Sequence, residues 1–409
     1  MKSKNCFSLF EHQTLKLDEK CNKVVFTKTH LLALQKFYGE RGLPYYSLIH
    51  NGVKFCEYVG VIQVGNLLIE VLPKADKNSK TDDWRQMLLN MLKAVGMFDV
   101  KAPSSSALRL KSNHILDLYI AIFIAEVEYL LQKGLIKKYR KAEGNLNALK
   151  GSLQFNKHIQ QNLVHQERFY TKYTTYDREH QLNIVLYKTI KLLQQINTNN
   201  GLSSRIGSLL LNFPEMPDMR IDDAWFEKIV FDRKTAGYKK AIEVARLLLM
   251  NYHPDVTQGQ NHVLALMFDM NVLWEQFVYI CLRKKMSDEY IIKSQSSMNF
   301  WKPNKGYSST IRPDIVISKD KENWVFDTKW KNLNGGKPSS QDLHQMFAYN
   351  KFYHAKHSAL VYPGNDGGMG GEYYNEGGSC SVIQIPIKGN EKIEDLKYSI
   401  HHLIEGSIF

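Results

Sequence analysis

The segment Arg312–Lys331, RPDIVISKDKENWVFDTKWK, constrains this chain more than any other. Ile311, Pro313, Ile315 and Ile317 alternate with Arg312, Asp314 and Val316, and Asn323–Trp330 is rich in β-branched and aromatic residues. The polar run Ser318–Glu322 separates the two stretches, which predicts a β-hairpin. Side chains two apart on a strand share a face, so Asp327 and Lys329 project together and the hairpin brings Asp314 beside them. Two carboxylates about 4 Å apart repel by roughly 4 kcal/mol at an effective dielectric near 20. One lysine offsets only part of that, and a divalent cation resolves the conflict. Hard oxygen donors without a nearby Cys or His cluster favour Mg²⁺ or Mn²⁺ over zinc. Such an ion would polarise a phosphate and activate a water, with Lys329 orienting that water or stabilising charge on phosphorus. An Asp…Asp-x-Lys pattern by itself also describes an ordinary edge hairpin with solvated charges.

Two flanking segments bear on the choice. Phe268–Lys285 reads as a helix with Phe268, Val272, Glu275, Tyr279 and Leu282 on one face, so Glu275 falls in an apolar stripe and needs a cation, a donor or a metal. A glutamate at the stripe's margin, reaching solvent or pairing with Arg283, fits this helix equally well. Ser339–His354 begins with good N-cap residues and places Gln345 and Tyr349 four apart on one face, where both can touch a nucleic-acid backbone or decorate the surface.

In chain order these elements carry Glu275, Asp314, Asp327-Thr328-Lys329 and Gln345-x-x-x-Tyr349. Together they resemble the PD-(D/E)xK nuclease superfamily, in particular its branch with a Q-x-x-x-Y helix. The resemblance implies a metal held by Asp314, Asp327 and the Thr328 carbonyl, with Glu275 as a further ligand or nearby acid and Lys329 positioning the attacking water. Asp stands at the second acidic position where many members carry Glu. The blocks Gly60–Asp76 (GVIQVGNLLIEVLPKAD), Asn145–Asn162 (NLNALKGSLQFNKHIQQN), Tyr176–Ile190 (YDREHQLNIVLYKTI) and Leu266–Val278 (LMFDMNVLWEQFV) are similar to successive parts of the McrC family, the nuclease subunits of McrBC-type modification-dependent restriction systems. That resemblance implies a C-terminal nuclease domain behind an N-terminal region that docks on an McrB-like AAA+ GTPase, which translocates DNA and usually recognises methylated cytosine.

The rest of the chain is compatible. Its 409 residues, 44% of them hydrophobic, can build two or three domains. A formal charge of +13 favours polyanions, and Lys133–Lys141 (KGLIKKYRK) gathers five basic residues without an acid. Lys137, Lys138, Arg140 and Lys141 there are candidate DNA contacts, with Tyr139 available for stacking; a solvated helix end or a dock for the partner reads equally well. Five scattered cysteines without a C-x-x-C pair fit a reducing cytoplasm. No histidine pair has zinc spacing, and no G-x-x-x-x-G-K-[ST] sequence occurs, so any GTPase is a partner. The most apolar helix, Ile115–Leu131, contains Asp117, Glu126 and Glu128 and is too short to span a membrane, and the N-terminus lacks a signal sequence's apolar core.

The expected fold class is multidomain α/β: a β-rich docking region over residues 1–110, a mainly helical region over 111–255, and a restriction-endonuclease-like α/β domain over 256–409. Strands are expected at Val24–Thr27, Val53–Val71, Ser358–Tyr362 and Ser381–Ile387. Helices are expected from Asp82 or Asp83 to Ala94, over Asn113–Lys133, Leu182–Ile196, Lys239–Leu249 and Glu391–Ile404, and Gly364–Gly378 reads as a mobile insertion. A metal-dependent endonuclease is the leading reading. A non-catalytic subunit that stimulates the GTPase and a DNA-binding module without catalysis are its rivals; the intact Asp314, Asp327 and Lys329 count against the first, and the lack of a helix-turn-helix or zinc finger against the second.

Overall fold

The computed structural model describes residues 5–21, 24–39, 42–65, 67–73, 81–95, 115–253, 263–285, 290–331, 333, 337–364, 368–374 and 378–385. The chain forms two compact units, one of residues 102–253 and one of residues 3–101 together with 254–409. The chain's first and last thirds therefore share a body, where the sequence suggested separate domains. The reason is a strand pairing. Val263–Asp269 runs antiparallel to Tyr58–Val64, with Leu266 opposite Val61 and Val263 opposite Val64. Gly60 permits this approach: a Cβ there would stand 2.0 Å from the Leu266 carbonyl oxygen. Leu67–Leu72 pairs with Tyr58–Val64 through a two-residue connection in which Gly65 adopts φ +55°, and Asn5–Phe10 adds a parallel strand beyond it. Ile62, Val64, Ile69 and Val71 from this sheet form a core with Leu31 and Leu34 of the helix Lys28–Tyr38.

In the same body a six-stranded sheet has the order Ile291–Ser294, Ile315–Lys319, Glu322–Thr328, Ala355–Pro363, Ser379–Ile385, Met369–Glu372. The expected hairpin is its second and third strands, paired Ile315↔Phe326 to Lys319↔Glu322. Asp320 and Lys321 take φ +50° and +71°, as a two-residue turn matched to strand twist requires. Helix Ser340–Phe352, capped by the Ser339 side chain on Asp342 N–H, lies in the connection from the third strand to the parallel fourth, which needs a crossover of this kind. Val316, Val325, Leu360, Tyr362 and Val382 meet Met346 and Tyr349 of that helix in a buried core.

The other body packs helices Ile115–Lys133, Gln181–Ile196, Asn200–Asn212 and Lys239–Met250 around buried Phe123, Val127, Val185, Ile190 and Leu248. It is less purely helical than expected. Lys138–Leu146, Phe169–Asp177 and Ser152–Leu153 form an antiparallel three-stranded sheet, so the basic run starts at a helix end with Lys133 and continues onto a strand with Lys138, Arg140 and Lys141. Two further expectations change. Phe268 and Asp269 end a strand, and the helix begins at Met270, because Asp269 Oδ1 accepts the N–H of Asn271 as a cap. The glycine-rich Gly364–Gly378 stretch contains a strand, Met369–Glu372, that completes the sheet edge. The helix expected at Glu391–Ile404 lies outside the described residues. No helix among the described residues is long and apolar enough to cross a membrane.

Candidate active site

The site assembles where the hairpin strands end. Asp314 sits one residue before the strand Ile315–Lys319, and Thr328 ends the facing strand. Thr328 grips Asp314 twice: its N–H and its hydroxyl both donate to Asp314 Oδ2, at 2.6 and 2.7 Å. That leaves the other carboxylate oxygen of Asp314 to face the site. The resemblance assigned Thr328 only through its carbonyl; its N–H and hydroxyl also fix the neighbouring acid.

Asp327 is 2% exposed, on the strand that pairs in parallel with Ala355–Pro363. Lys329 Nζ lies 2.7 Å from Asp327 Oδ2, yet that oxygen has no well-aligned hydrogen-bond donor. The contact is a close charge pair that compensates only part of the cost of a buried anion. Burial, reinforced by Asp314, pushes the Asp327 carboxyl above its usual range. For Lys329 burial pulls the ammonium down, but Asp327, Asp314 and Asp342 together outweigh it and the net shift is upward, so the lysine stays charged.

Glu275 joins from helix Met270–Lys285. The buried face of that helix is Leu273, Trp274, Phe277, Val278, Cys281 and Leu282, while Val272 is exposed. Glu275 therefore borders the apolar face and does not lie within the stripe inferred from spacing. Burial, and then the nearby Asp314, push its carboxyl up to about 7. Its anchor is Gln295, whose amide donates to Oε1 and Oε2 at 2.9 and 3.3 Å. The Gln295 N–H also donates to the Asp314 carbonyl at 2.8 Å. Gln295 holds φ +48°, a conformation that costs a non-glycine residue about 1 kcal/mol or more and persists where the surroundings impose it. Sequence reasoning missed Gln295, since nothing in its local pattern marks it.

The Q-x-x-x-Y helix approaches from the other side. Lys329 Nζ donates to Gln345 Oε1 at 3.3 Å, the Gln345 amide donates to the Tyr349 hydroxyl at 2.7 Å, and that hydroxyl donates to the Arg312 carbonyl at 3.1 Å. Tyr349 is only 4% exposed, so its expected role as a nucleic-acid contact is replaced by an internal one. Gln345 likewise spends its amide on this relay. Asp342 on the same helix, also unforeseen, takes Lys331 and the Tyr362 hydroxyl as partners and adds negative charge near Asp327.

The basic run lies elsewhere. Arg140 pairs with Asp177 at 2.9 Å and Glu179 at 2.6 Å, and Lys137 sits over the Tyr176 ring. Arg140 is thus committed to acids. Lys138 and Lys141 remain exposed on the strand.

Asp314 and Asp327 beside Lys329, with Glu275 close to both acids and an under-solvated Asp327 oxygen, fit a hard divalent cation by donor chemistry. Among the described residues no three His, Cys, Asp or Glu side chains already stand at ligand distance from a common point. Asp314 and Asp327 would be the ligands of such an ion, with Glu275 and Asp342 as further acids nearby.

The fold has solved counterparts. A chain in the refined half-complex from the tetradecameric assembly of Thermococcus gammatolerans McrB AAA+ hexamers with bound McrC superposes with a TM-score of 0.74 at 18% identity, covering 98% of this chain and 100% of that one. A chain in the cryo-EM structure of the Thermococcus gammatolerans McrBC complex matches at TM-score 0.50 and 19% identity, over 68% of this chain and 87% of that one. At such identities the likeness is one of fold. No curated protein sequence matches. The model of the McrBC 5-methylcytosine restriction system component matches residues 53–363, and the chain belongs to that family.

Proposed function

We propose that this chain is the nuclease subunit of an McrBC-like restriction complex, an Mg²⁺- or Mn²⁺-dependent endonuclease that hydrolyses phosphodiester bonds in foreign, methylated DNA. The observation that carries this reading is the meeting of Asp314, Asp327, Lys329 and Glu275 at one end of the sheet, with the Glu275 and Asp327 carboxyls pushed upward by burial and by the Asp314 carboxylate. Structural ion pairs relieve such conflicts; here the conflict is kept.

Each residue has a task in that chemistry. A bound dication would supply charge to a phosphate oxygen and make a water more acidic. Thr328 keeps Asp314 in one orientation by two hydrogen bonds. Lys329, held charged by Asp327 and steadied by Gln345, places a cation where negative charge grows on phosphorus. Glu275, with its carboxyl near 7, can take or release a proton close to neutral pH while Gln295 holds it in place. Tyr349 keeps the Gln345 amide aligned so that its oxygen faces Lys329.

The partner in this proposal is an AAA+ GTPase, as Thermococcus gammatolerans McrC is bound to McrB AAA+ hexamers. This chain has no P-loop sequence of its own. In the complex reconstituted with its GTPase, Asp314→Ala and Asp327→Ala should each lower cleavage of methylated duplex by roughly 1,000-fold or more while assembly and GTP turnover persist. Cleavage at the parental rate by either variant would assign catalysis elsewhere. Retained GTPase stimulation by a parental protein that never cuts would favour the purely stimulatory subunit.

A further inference from the structure

Between the strand Ile291–Ser294 and Asp314 the chain makes an excursion that the six-stranded sheet does not use. Met298–Trp301 pairs antiparallel with Ser309–Ile311 as a separate two-stranded ribbon, irregular between Asn299 and Trp301. Its strands are exposed on both faces except at Ile311. Trp301 is 59% exposed and Tyr307, in the connection, 99%. Leaving a tryptophan so open forgoes the burial that its large apolar ring would otherwise gain.

The charge on this excursion has one sign. Residues 290–313 contain Lys293, Lys302, Lys305 and Arg312 and not a single Asp or Glu. Lys293, Lys302 and Lys305 make no ion pair among the described residues. The ribbon is also tied to the candidate site at its base. The Tyr353 hydroxyl donates to the Ser296 carbonyl, the Tyr349 hydroxyl to the Arg312 carbonyl, and the Gln295 N–H to the Asp314 carbonyl. Phe300 packs on Phe352 of the same helix with ring centroids 5.0 Å apart. Both ends of the ribbon are thereby fixed relative to Asp314 and Lys329.

We propose that the ribbon Met298–Ile311, with Lys293 and Arg312 at its base, is an arm that seats duplex DNA beside the scissile phosphate. Its cations meet phosphates, and Trp301 and Tyr307 lie against sugars and base edges. This rests on the nuclease reading for the meaning of "scissile" but on its own residues for DNA contact. A two-stranded ribbon is narrow enough to enter the major groove, and interleaved cations and aromatics suit a polyanion with flat apolar faces. A second copy of the chain fits poorly, because a twofold contact would press this acid-free surface against its own image.

The test uses the full-length chain without divalent metal and a fluorescein-labelled duplex of about 30 base pairs, with binding read by anisotropy across about 50–300 mM NaCl. Lys302→Glu combined with Lys305→Glu should weaken binding about 10- to 100-fold near 100 mM salt and flatten the log-log slope by about 1.8, from two lost phosphate contacts at roughly 0.9 each. Trp301→Ala should weaken binding about 5- to 10-fold with the slope kept. Unchanged circular-dichroism melting shows that the variants fold. A parental slope in the charge-reversed protein overturns the proposal. So does a defect confined to assembly with the GTPase, which would make the ribbon a protein dock, or a shift in sedimentation equilibrium, which would make it a contact between copies. Asp327→Ala separates this test from the nuclease reading: if that variant still cuts, the catalytic assignment fails while a flattened slope for the ribbon variant upholds the arm.

Discussion

The helical body and the sheet that carries the site treat charge in opposite ways. In the body of residues 102–253 several charged side chains find partners. Arg205 holds Glu128 through two nitrogens at 3.0 and 2.6 Å, Arg140 holds Asp177 and Glu179, and Lys157 meets Glu143 at 2.6 Å. In the sheet body Asp314, Asp327 and Glu275 lie close enough to raise one another's burden, with Lys329 against Asp327 and Arg312 near Glu275, while Lys302 and Lys305 of the nearby ribbon stay unpaired. Charges that serve the fold are relieved within it, and charges that serve chemistry or binding wait for something outside the chain.

The sharpest way to break this contrast is at Lys329. Lys329→Met keeps the length of the side chain and removes its charge, so cleavage by the reconstituted complex should fall by roughly 100- to 1,000-fold. The melting temperature should hold, because Asp327 can relieve its burial by taking a proton. A large drop in melting temperature with cleavage retained would make the Lys329–Asp327 pair structural, like those in the other body.

A metal-binding measurement follows. The Glu275 carboxyl stands at about 7 in the folded chain against a usual value of 4.5. Its folded value is raised, so its contribution to stability is complete below about 4.5 and is lost as pH rises through 7. Asp327 shifts in the same direction. Without metal the protein should therefore melt lower at about pH 8 than at about pH 5.5, and Mg²⁺ should raise the melting temperature more at the higher pH. Equal Mg²⁺ effects at both values would remove these carboxylates from the binding site.

Gln295 sharpens the comparison more finely. Gln295→Ala removes the amide that holds Glu275 and should lower cleavage about tenfold, the worth of one hydrogen bond to a charged group near 1.5 kcal/mol. Gln295→Gly loses the same amide but relieves φ +48°, so it should melt higher than the alanine variant while sharing its shifted Mg²⁺ requirement. If glycine restores the Mg²⁺ dependence, Gln295 acts through backbone strain alone.

The smallest effects belong to the helical body. Arg205→Ala should cost about 0.5–1 kcal/mol of stability, since the pair with Glu128 is partly screened by solvent, and should leave cleavage unchanged. Arg140→Ala should behave alike and leave the salt slope of DNA binding intact. Reversing the exposed Lys138 and Lys141 tests what remains of that run as a phosphate or partner contact. A flattened slope there comparable to that of the ribbon variants would erase the distinction between the two regions.

Much of the site was legible because its signals are local. The alternation around Asp314 and Asp327, the polar turn at Asp320-Lys321, and the Ser339 cap ahead of Gln345 each depend on neighbours a few residues away. Periodicity failed where two answers were locally equivalent. Phe268–Lys285 fits a single helix by spacing, but pairing with Tyr58–Val64 draws Phe268 and Asp269 into a strand.

By itself the sequence determined the α/β character, the hairpin with its Asp-x-Lys, the helix that follows it, and the family resemblance, because backbone propensity and side-chain period act over one or two turns or strand pairs. Tertiary structure alone decided what those groups do to one another. The acids that occupy Arg140 come from a strand and loop 37 and 39 positions further along, and Gln295 reaches Glu275 across 20 residues and Asp314 across 19. A carboxyl near 7, a buried Tyr349 and an unpaired basic ribbon exist only once strands distant in the chain are in register, since burial and Coulomb interaction depend on separation in space and not along the chain.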